Sequence, residues 1–281
     1  MKLALAQMAP RLGDTTANLR THRDLIRKAR RQGASLVIFP ELSLTGYRLQ
    51  DLVRDVAEPV GRGKRMRALA SASKECAVIA GFVEEGPGQE AFNAAALFRA
   101  GKLGHLHRKV YLPTYGMFDE GRFFDAGSTF RTFEAPWGRT GILICEDFWH
   151  LSAAWLLALQ GMDLLVVISA SPVKGMKATR NPSSLAIWED LGRVVARHHT
   201  CWVAYVNRVG FEDGWAFQGG SYLCSPEGRV TASAGFLDEK LVIATMDPAV
   251  LRRARIRSPI LRDEKADLAG RELARILGSG R

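Results

Sequence analysis

The sequence has few cysteines and no long apolar run. Its 281 residues include four cysteines without a CxxC pair or a regular spacing: Cys76, Cys145, Cys201 and Cys224. This usage excludes a disulfide-rich secreted scaffold and a zinc ribbon, and it favours a reducing compartment. Apolar stretches such as 164–168 are far shorter than the roughly 20 residues of a membrane-spanning helix. Because the polar start of the chain also lacks a signal-peptide core, we expect a cytoplasmic protein that does not cross a membrane.

Motifs of several common enzyme classes are also missing. The chain contains no GxxxxGK phosphate loop, no GxGxxG that opens a helix after a strand, no HExxH and no GxSxG. Nucleotide-dependent and serine-hydrolase chemistry therefore lack their usual signatures, and we expect no cofactor. His105 and His107 are two residues apart on a predicted strand and so point to the same side of it, as two metal ligands would. The sequence indicates no third ligand for them. We interpret both as core or surface residues and expect no metal.

The positive charge is concentrated in two segments. Lys and Arg total 39 against 29 Asp and Glu, a formal net charge of +10. Residues 20–31 contain six basic side chains and one acidic one, and residues 251–281 contain nine and four, so each segment contributes +5. Both segments have helical patterns, and an arginine-rich helix face is usually solvated surface. No aromatic residues are interleaved with the basic ones as in RNA-binding motifs, so nucleic-acid binding ranks last among the functions considered.

The hydrophobic pattern alternates between strands and helices along the whole chain. Apolar runs such as 2–8 are typical of buried strands, a helix capped by Asp14 follows, and a helical pattern fills 50–74. Two similar halves of this kind predict an α/β protein in which two sheets pack face to face with helices outside. No linker interrupts the chain, so residues 1–281 are predicted to form one domain. Its C-terminal arm, about 249–281, is expected to pack on a partner subunit.

Three polar side chains are predicted at strand ends, where α/β folds gather their sites. Cys145 closes the strand GILIC just before a helix, whose N-terminal amides, with a nearby cation, lower the pKa of a thiol. Glu41 follows the strand SLVIFP, where partial removal from water makes it a usable general base. Lys109 ends the strand HLHRK and can point its ammonium at a developing oxyanion. Judged alone, each residue is also compatible with an ordinary role, Cys145 as a buried structural cysteine, Glu41 as a helix or turn cap and Lys109 as a solvated edge lysine.

The segments around these three residues resemble the nitrilase superfamily of carbon–nitrogen hydrolases. They are PELSLTGY (40–47), HRKVYLPTYGMFDEGRFF (107–124) and GILICEDFW (141–149), in the order and with the separations of that family. Further similar segments extend the likeness over nearly the whole chain: AFNAAALF (91–98), SASP (169–172) and YVNRVGFEDGWAFQGGSYL (205–223). The resemblance implies a four-layer α-β-β-α sandwich, usually assembled as a homodimer or higher homo-oligomer.

Within that superfamily the chain looks most like the glutaminase domain of glutamine-dependent NAD synthetases, which share its LTGY, YGxFDExRxF and CEDxW patterns. The resemblance implies a catalytic triad of Glu41, Lys109 and Cys145. It also implies that Glu120 supports the lysine and that the backbone N–H of Glu146 holds the oxyanion. Four residues are implied to contact the substrate: Tyr47, Tyr115, Ser171 and Lys177.

Two departures limit what this resemblance implies about the substrate. No SGGxDS-like loop of an ATP-dependent synthetase domain occurs in the sequence. Where the glutaminase domains place an arginine beyond the SP dipeptide, this chain has Lys177, with Lys174 and Arg180 nearby. Lysine keeps the charge but loses the bidentate fork of arginine. Glutamine is therefore one candidate substrate.

The predicted reaction is hydrolysis of a small linear amide through a cysteine thioester, with release of ammonia. The cationic residues beyond 171 favour an amide that carries a carboxylate. A nitrilase or an N-carbamoyl amino acid hydrolase remains an alternative, because the triad alone does not distinguish amide, nitrile and ureido carbons. Another alternative is an ammonia-supplying glutaminase subunit of a separate synthetase.

Overall fold

A computed structural model describes residues 1–173 and 183–279, and its first sheet has six strands. These are β1 (Lys2–Gln7), β2 (Leu36–Ile38), β3 (Ala77–Glu85), β4 (Ala91–Arg99), β5 (Lys102–Arg108) and β13 (Lys240–Thr245). Their order across the sheet is β13-β1-β2-β3-β4-β5. The parallel strands β1, β2 and β3 occupy the middle, and antiparallel strands lie on either side.

The second sheet has five strands, and a separate hairpin lies beside it. The sheet contains β6 (Thr140–Ile144), β7 (Leu164–Ser169), β8 (Trp202–Asn207), β11 (Tyr222–Cys224) and β12 (Val230–Ser233). Their order is β12-β11-β8-β7-β6, and β6, β7 and β8 are parallel. The hairpin pairs β9 (Val209–Glu212) with β10 (Trp215–Gln218). Strand β10 is one that the hydrophobic pattern did not predict.

Eight α-helices connect or flank these strands in the described residues. They are α1 (Thr15–Arg31), α2 (Val53–Val56), α3 (Lys64–Ala72), α4 (Leu151–Leu159), α5 (Ser183–His198), α6 (Pro248–Arg257), α7 (Ile260–Asp263) and α8 (Ala266–Gly278). The cap predicted for α1 is confirmed, since the Asp14 carboxylate accepts a hydrogen bond from the Ala17 N–H at 2.9 Å. None of these helices is both long and apolar enough to cross a membrane.

The core lies between the two sheets, which confirms the predicted layers. Apolar side chains such as Leu5 of the first sheet and Val167 of the second belong to one buried cluster. The outer face of the first sheet packs against Ile26 of α1 and Leu69 of α3 in a second cluster. On the outer face of the second sheet, helices α4 and α5 contribute side chains to the first of these clusters. The architecture is therefore a four-layer α-β-β-α sandwich.

The continuous helical pattern predicted over 50–74 is wrong in its middle. Helix α2 ends at Val56, the chain leaves helical geometry at Ala57, and α3 begins only at Lys64. Pro59 restricts the residue before it to extended geometry, and Gly61 adopts a left-handed conformation with φ of 80°. The apolar periodicity thus continued across a segment whose proline and glycine interrupt the helix.

Candidate active site

Glu41 lies just beyond β2 and is held from three directions. Its side chain is fully buried, and its Oε1 accepts hydrogen bonds from Asn93 Nδ2 at 2.7 Å and Lys109 Nζ at 2.8 Å. Its Oε2 accepts the backbone N–H of Ala170, just after β7, at 2.7 Å. The next residue, Leu42, has a φ of 47°, which turns the chain sharply out of the strand. The carboxylate therefore has one orientation, set by both sheets.

Lys109 follows β5 and is a fully buried ammonium between two carboxylates. Its Nζ donates to Glu41 Oε1 at 2.8 Å and to Glu120 Oε1 at 2.7 Å. Burial alone lowers the pKa of this lysine, but the charges of Glu120 and Glu41 outweigh that effect and raise its pKa well above the ordinary value. Lys109 is therefore a permanent cation inside the protein.

Glu120 opens a 3-10 turn in the long loop after β5 and closes this charged cluster. The Tyr47 hydroxyl donates to the same oxygen, Oε1, that receives the Lys109 ammonium. Burial raises the pKa of Glu120, an effect that the charge of Lys109 opposes and that of Glu41 reinforces. Its second oxygen, Oε2, is buried and has no hydrogen-bond partner among the described residues.

Cys145 begins the turn that follows β6, in an unusual backbone conformation. Its φ is 47°, in the left-handed region that a non-glycine residue adopts at a cost, and such strain is frequent at functional sites. The side chain is 8% exposed, and its Sγ accepts a hydrogen bond from Ser169 Oγ at 3.3 Å. Ser169 is next to Ala170, whose N–H binds Glu41 Oε2, so the end of β7 contacts both Cys145 and Glu41.

The expectation that the helix terminus lowers the pKa of the Cys145 thiol is wrong. Burial raises this pKa well above its ordinary value, and the negative charge of Glu41 adds to the effect. The cation Lys109 and the hydrogen bond from Ser169 act in the opposite direction but do not compensate. The sulfur is therefore a neutral thiol near neutral pH, and it requires a base before it can attack.

Asp147, which the sequence analysis did not single out, joins the lysine and cysteine segments. Its Oδ1 accepts the backbone N–H groups of Val110 and Tyr111, both at 2.9 Å. Its Oδ2 accepts the N–H of Ile144 at 3.1 Å and lies 2.8 Å from His107 Nε2. The acidic residue two positions after the cysteine was visible in the sequence, but its partners on β5 and the following loop were not.

Of the two histidines of β5, His107 is buried and His105 is partly buried. His107 is buried against Asp147, and His105 packs on Phe133 with ring centroids 4.6 Å apart. Burial lowers the pKa of His105 to about 4. No group of three or more His, Cys, Asp or Glu side chains in residues 1–173 and 183–279 is arranged to hold a metal ion.

The predicted substrate contacts differ in where they lie. Tyr47 is buried against Glu120, as described above. Tyr115 is half-exposed, and its hydroxyl donates to the carboxylate of Glu146, next to Cys145, at 3.0 Å. Ser171 is buried, and its Oγ accepts a hydrogen bond from Trp188 Nε1 at 2.9 Å. Substrate contact by these residues stays a prediction.

Two further predictions concern a loop and a backbone group. Lys177, with its neighbours Lys174 and Arg180, lies outside the described residues. Glu146 occupies the first turn of the 3-10 helix Cys145–Trp149, where backbone N–H groups lack partners within the helix. Such groups are suitable donors to an oxyanion, so the role implied for the Glu146 N–H is compatible with its position.

A cleft of about 220 Å³ opens beside the charged cluster. Tyr47 and Glu120 form part of its wall, and the other lining residues are mostly aromatic or charged: Arg48, Gln50, Asp51, Met117, Phe118, Asp119, Arg122, Phe123, Phe124 and Trp215. Its size suits a small molecule rather than a polymer.

Comparison with known proteins gives a family match over most of the chain. Residues 2–256 match the carbon-nitrogen hydrolase family. The glutamine-dependent NAD(+) synthetase of Acinetobacter baylyi is 31% identical over 249 residues, which are 88% of this chain and 44% of that protein. The chain thus spans less than half the length of the curated relatives that it matches.

Two solved structures, a glutamine-dependent NAD+ synthetase and an amidase, have the same fold as this chain. The glutamine-dependent NAD+ synthetase of Acinetobacter baumannii is 30% identical with a TM-score of 0.79, over 89% of this chain and 46% of that one. An amidase of the nitrilase superfamily from Nesterenkonia AN1 is 25% identical with a TM-score of 0.79, over 96% of each chain.

Proposed function

Because this chain belongs to the carbon–nitrogen hydrolase family, the nitrilase superfamily, we propose that it hydrolyses a small linear amide and releases ammonia. One observation carries the proposal: a buried Lys109 joins the carboxylates of Glu41 and Glu120, and the end of β7 contacts both Glu41 and the thiol of Cys145. These groups supply a nucleophile, a base and a fixed cation, which together suit acyl transfer.

In the first half of the proposed reaction, Cys145 Sγ attacks the amide carbonyl carbon while Glu41 takes the thiol proton. Because burial raises the pKa of Cys145, this attack depends on the neighbouring base rather than on a preformed thiolate. Lys109 Nζ and the backbone N–H of Glu146 stabilise the oxyanion of the tetrahedral intermediate. Glu41 then passes its proton to the amide nitrogen, the carbon–nitrogen bond breaks, and ammonia leaves a thioester on Cys145.

In the second half, water replaces ammonia. Glu41 removes a proton from the water as its oxygen attacks the thioester carbon, and the same two donors hold the second oxyanion. The carbon–sulfur bond breaks, the carboxylic acid leaves, and the proton held by Glu41 returns to the sulfur. Glu120 remains bound to Lys109 throughout and keeps the ammonium in place.

For the substrate we propose an amide that carries a carboxylate, with glutamine as one candidate. The similarity to glutamine-dependent NAD(+) synthetases favours it, as do the cationic residues expected near the site, Lys174, Lys177 and Arg180. The same similarity favours a second candidate function, an ammonia-supplying subunit that acts with a separate synthetase. A nitrile or an N-carbamoyl amino acid is the alternative substrate within the family chemistry.

A panel of substrates tests the reaction class. We expect ammonia release from short aliphatic amides and from glutamine, at rates at least tenfold above those for matched nitriles and ureido acids. The measurement is coupled-enzyme detection of ammonia with the purified chain, alone and with a synthetase domain added. Stimulation of glutamine hydrolysis by the synthetase would favour the subunit reading, whereas turnover of nitriles or ureido acids alone would reject an amidase.

We also propose that two copies of the chain associate through α4, α5 and the C-terminal arm. A groove of about 380 Å³ on α4 and α5 has mostly apolar walls, including Leu151, Trp155 and Val194. Helix α8 has no buried residue, and Leu273 and Leu277 on its apolar side are exposed. The arm runs close to this part of the molecule: Arg255 of α6 donates to Asp163 Oδ1, beyond α4, at 2.7 Å, and the charge of Glu264 acts to raise the pKa of His199, which lines the groove. Exposed apolar surface of this extent is typical of a protein–protein interface.

The association has a direct test in α8. Replacing Leu273 and Leu277 together by glutamate is expected to convert a dimer or larger oligomer into a monomer, because the partner would have to bury two charges. Light scattering after gel filtration measures the mass in solution. Leu103→Glu, on an exposed side of β5, is the matched control and should leave the mass unchanged. A wild-type chain that is monomeric at micromolar concentration would contradict the proposal.

A further inference from the structure

We propose that Glu212, paired with Arg208, is a positioning residue that holds Tyr47 against Glu120 and so orients the ammonium of Lys109. This inference rests on the proposed function, because it assigns a role in maintaining the same charged cluster. Glu212 contacts neither Lys109 nor Cys145, and it lies outside the three segments around Glu41, Lys109 and Cys145 that suggested the site.

The buried ion pair joins Arg208, the residue between β8 and β9, to Glu212, the last residue of β9. Arg208 Nη1 donates to Glu212 Oε2 at 2.5 Å, and both side chains are almost completely buried. The guanidinium also donates to the Pro10 carbonyl at 3.3 Å and lies 4.0 Å from the ring centre of Phe217. Burial lowers the pKa of Arg208, which Glu212 opposes. Because a buried pair of this kind often stabilises no more than apolar residues of the same size, its presence calls for another explanation.

The other carboxylate oxygen of Glu212, Oε1, determines where the backbone of Tyr47 lies. Oε1 accepts the N–H of Tyr47 at 2.8 Å and the N–H of Arg48 at 2.6 Å. The preceding residue, Gly46, has a φ of 83°, and a Cβ at this position would come within 2.9 Å of Glu212 Oε2. The turn therefore packs directly on the carboxylate, which leaves little freedom for Tyr47 to shift.

The Tyr47 side chain transmits this position to the catalytic cluster. Its hydroxyl donates to Glu120 Oε1, the oxygen that also binds Lys109 Nζ. Three groups facing Glu120 influence its pKa: Lys109 and Tyr47 lower it, and Glu41 raises it, while burial raises it most. If Tyr47 moved away, Glu120 would lose one donor, and its carboxylate would become protonated at a higher pH.

A matched pair of double variants separates positioning from stability. Arg208→Met with Glu212→Met removes both charges and the acceptor for the Tyr47 N–H. Arg208→Gln with Glu212→Gln also removes both charges but keeps a carbonyl acceptor there. Neither variant leaves a lone buried charge, so both are expected to fold.

The readout is the pH dependence of Cys145 alkylation by iodoacetamide, followed by mass spectrometry of the peptide that contains it. The charge of Glu120 raises the pKa of the Cys145 thiol, so we expect an inflection in the profile where Glu120 titrates. We expect both the methionine pair and Tyr47→Phe to move this inflection upward by about one pH unit, and we expect the methionine pair to add nothing in the Tyr47→Phe background. The glutamine pair should keep the wild-type profile. Asp213→Asn, on the same hairpin, is the control and should also keep it.

Equal profiles for the methionine and glutamine pairs, or additive shifts with Tyr47→Phe, would overturn the positioning role. A loss of thermal stability alone, with an unchanged inflection, would do so as well. Alkylation requires no substrate, so this outcome is independent of the proposed reaction. Absence of ammonia release from every amide would reject the amidase proposal and leave the alkylation result interpretable.

Discussion

Replacing Cys145 with alanine is expected to lower amide turnover by at least about a thousandfold. Alanine leaves no atom that can form the thioester, and the remaining donors can only bind the substrate. The side chain is small and buried, so the fold should persist. Ammonia release under saturating amide, with the protein concentration matched to wild type, measures the loss.

A second buried cysteine serves as the control for this substitution. Cys76 is 2% exposed and packs in the cluster between the first sheet and its helices, away from the charged site. Cys76→Ala should keep turnover within about twofold and lower stability only by about 1 kcal/mol. Ordinary turnover in Cys145→Ala would exclude the thioester mechanism.

Replacing Lys109 with methionine is expected to abolish turnover and to destabilise the fold by about 3–5 kcal/mol. Methionine has nearly the same length, but it leaves Glu41 and Glu120 buried without their cation. The pKa of Glu120, which burial already raises, would rise further because Lys109 is the charge that lowers it most. When the pKa of a carboxyl is higher in the folded state than in the unfolded state, the protein loses stability as the pH rises and the carboxyl ionises. The variant should therefore be most stable in mild acid and melt at lower temperature at pH 8.

Melting temperatures between pH 5 and pH 8 measure the loss of stability, and ammonia release measures the loss of turnover. Lys74→Met is the matched control, since Lys74 is exposed after α3, and its melting temperature should change little at any pH. A Lys109→Met protein with wild-type stability at pH 8 would mean that the two carboxylates do not depend on the ammonium.

The sequence predicted the layers of the fold well, because burial leaves a periodic record in each element. The run 2–8 became strand β1, and Asp14 caps α1 as expected. The failure over 50–74 has the opposite cause: apolar spacing continued, while Pro59 interrupted the helix. Periodicity records which side chains are buried, but it does not record where the backbone can continue.

The site was predicted only in part, because its supporting contacts come from distant segments. Lys109 lies within hydrogen-bond distance of both Glu41 and Glu120, although the catalytic roles of the three residues stay proposals. Asn93 and Asp147 hold the site in place and lie in segments quoted for the resemblance, 91–98 and 141–149. Their contacts could not be predicted, since an amide or an acid in a strand or turn has many ordinary roles.

The sequence by itself determined the kinds of side chain available and the strand ends at which they stand, since both follow from residue identity and hydrophobic period. Only the tertiary structure decided their protonation and orientation. The thiol of Cys145 is neutral and the ammonium of Lys109 permanent because burial and neighbouring charges, brought together from both sheets, outweigh the local effect of a helix terminus. Desolvation and Coulomb energies depend on distances in space, which residues far apart along a chain do not reveal.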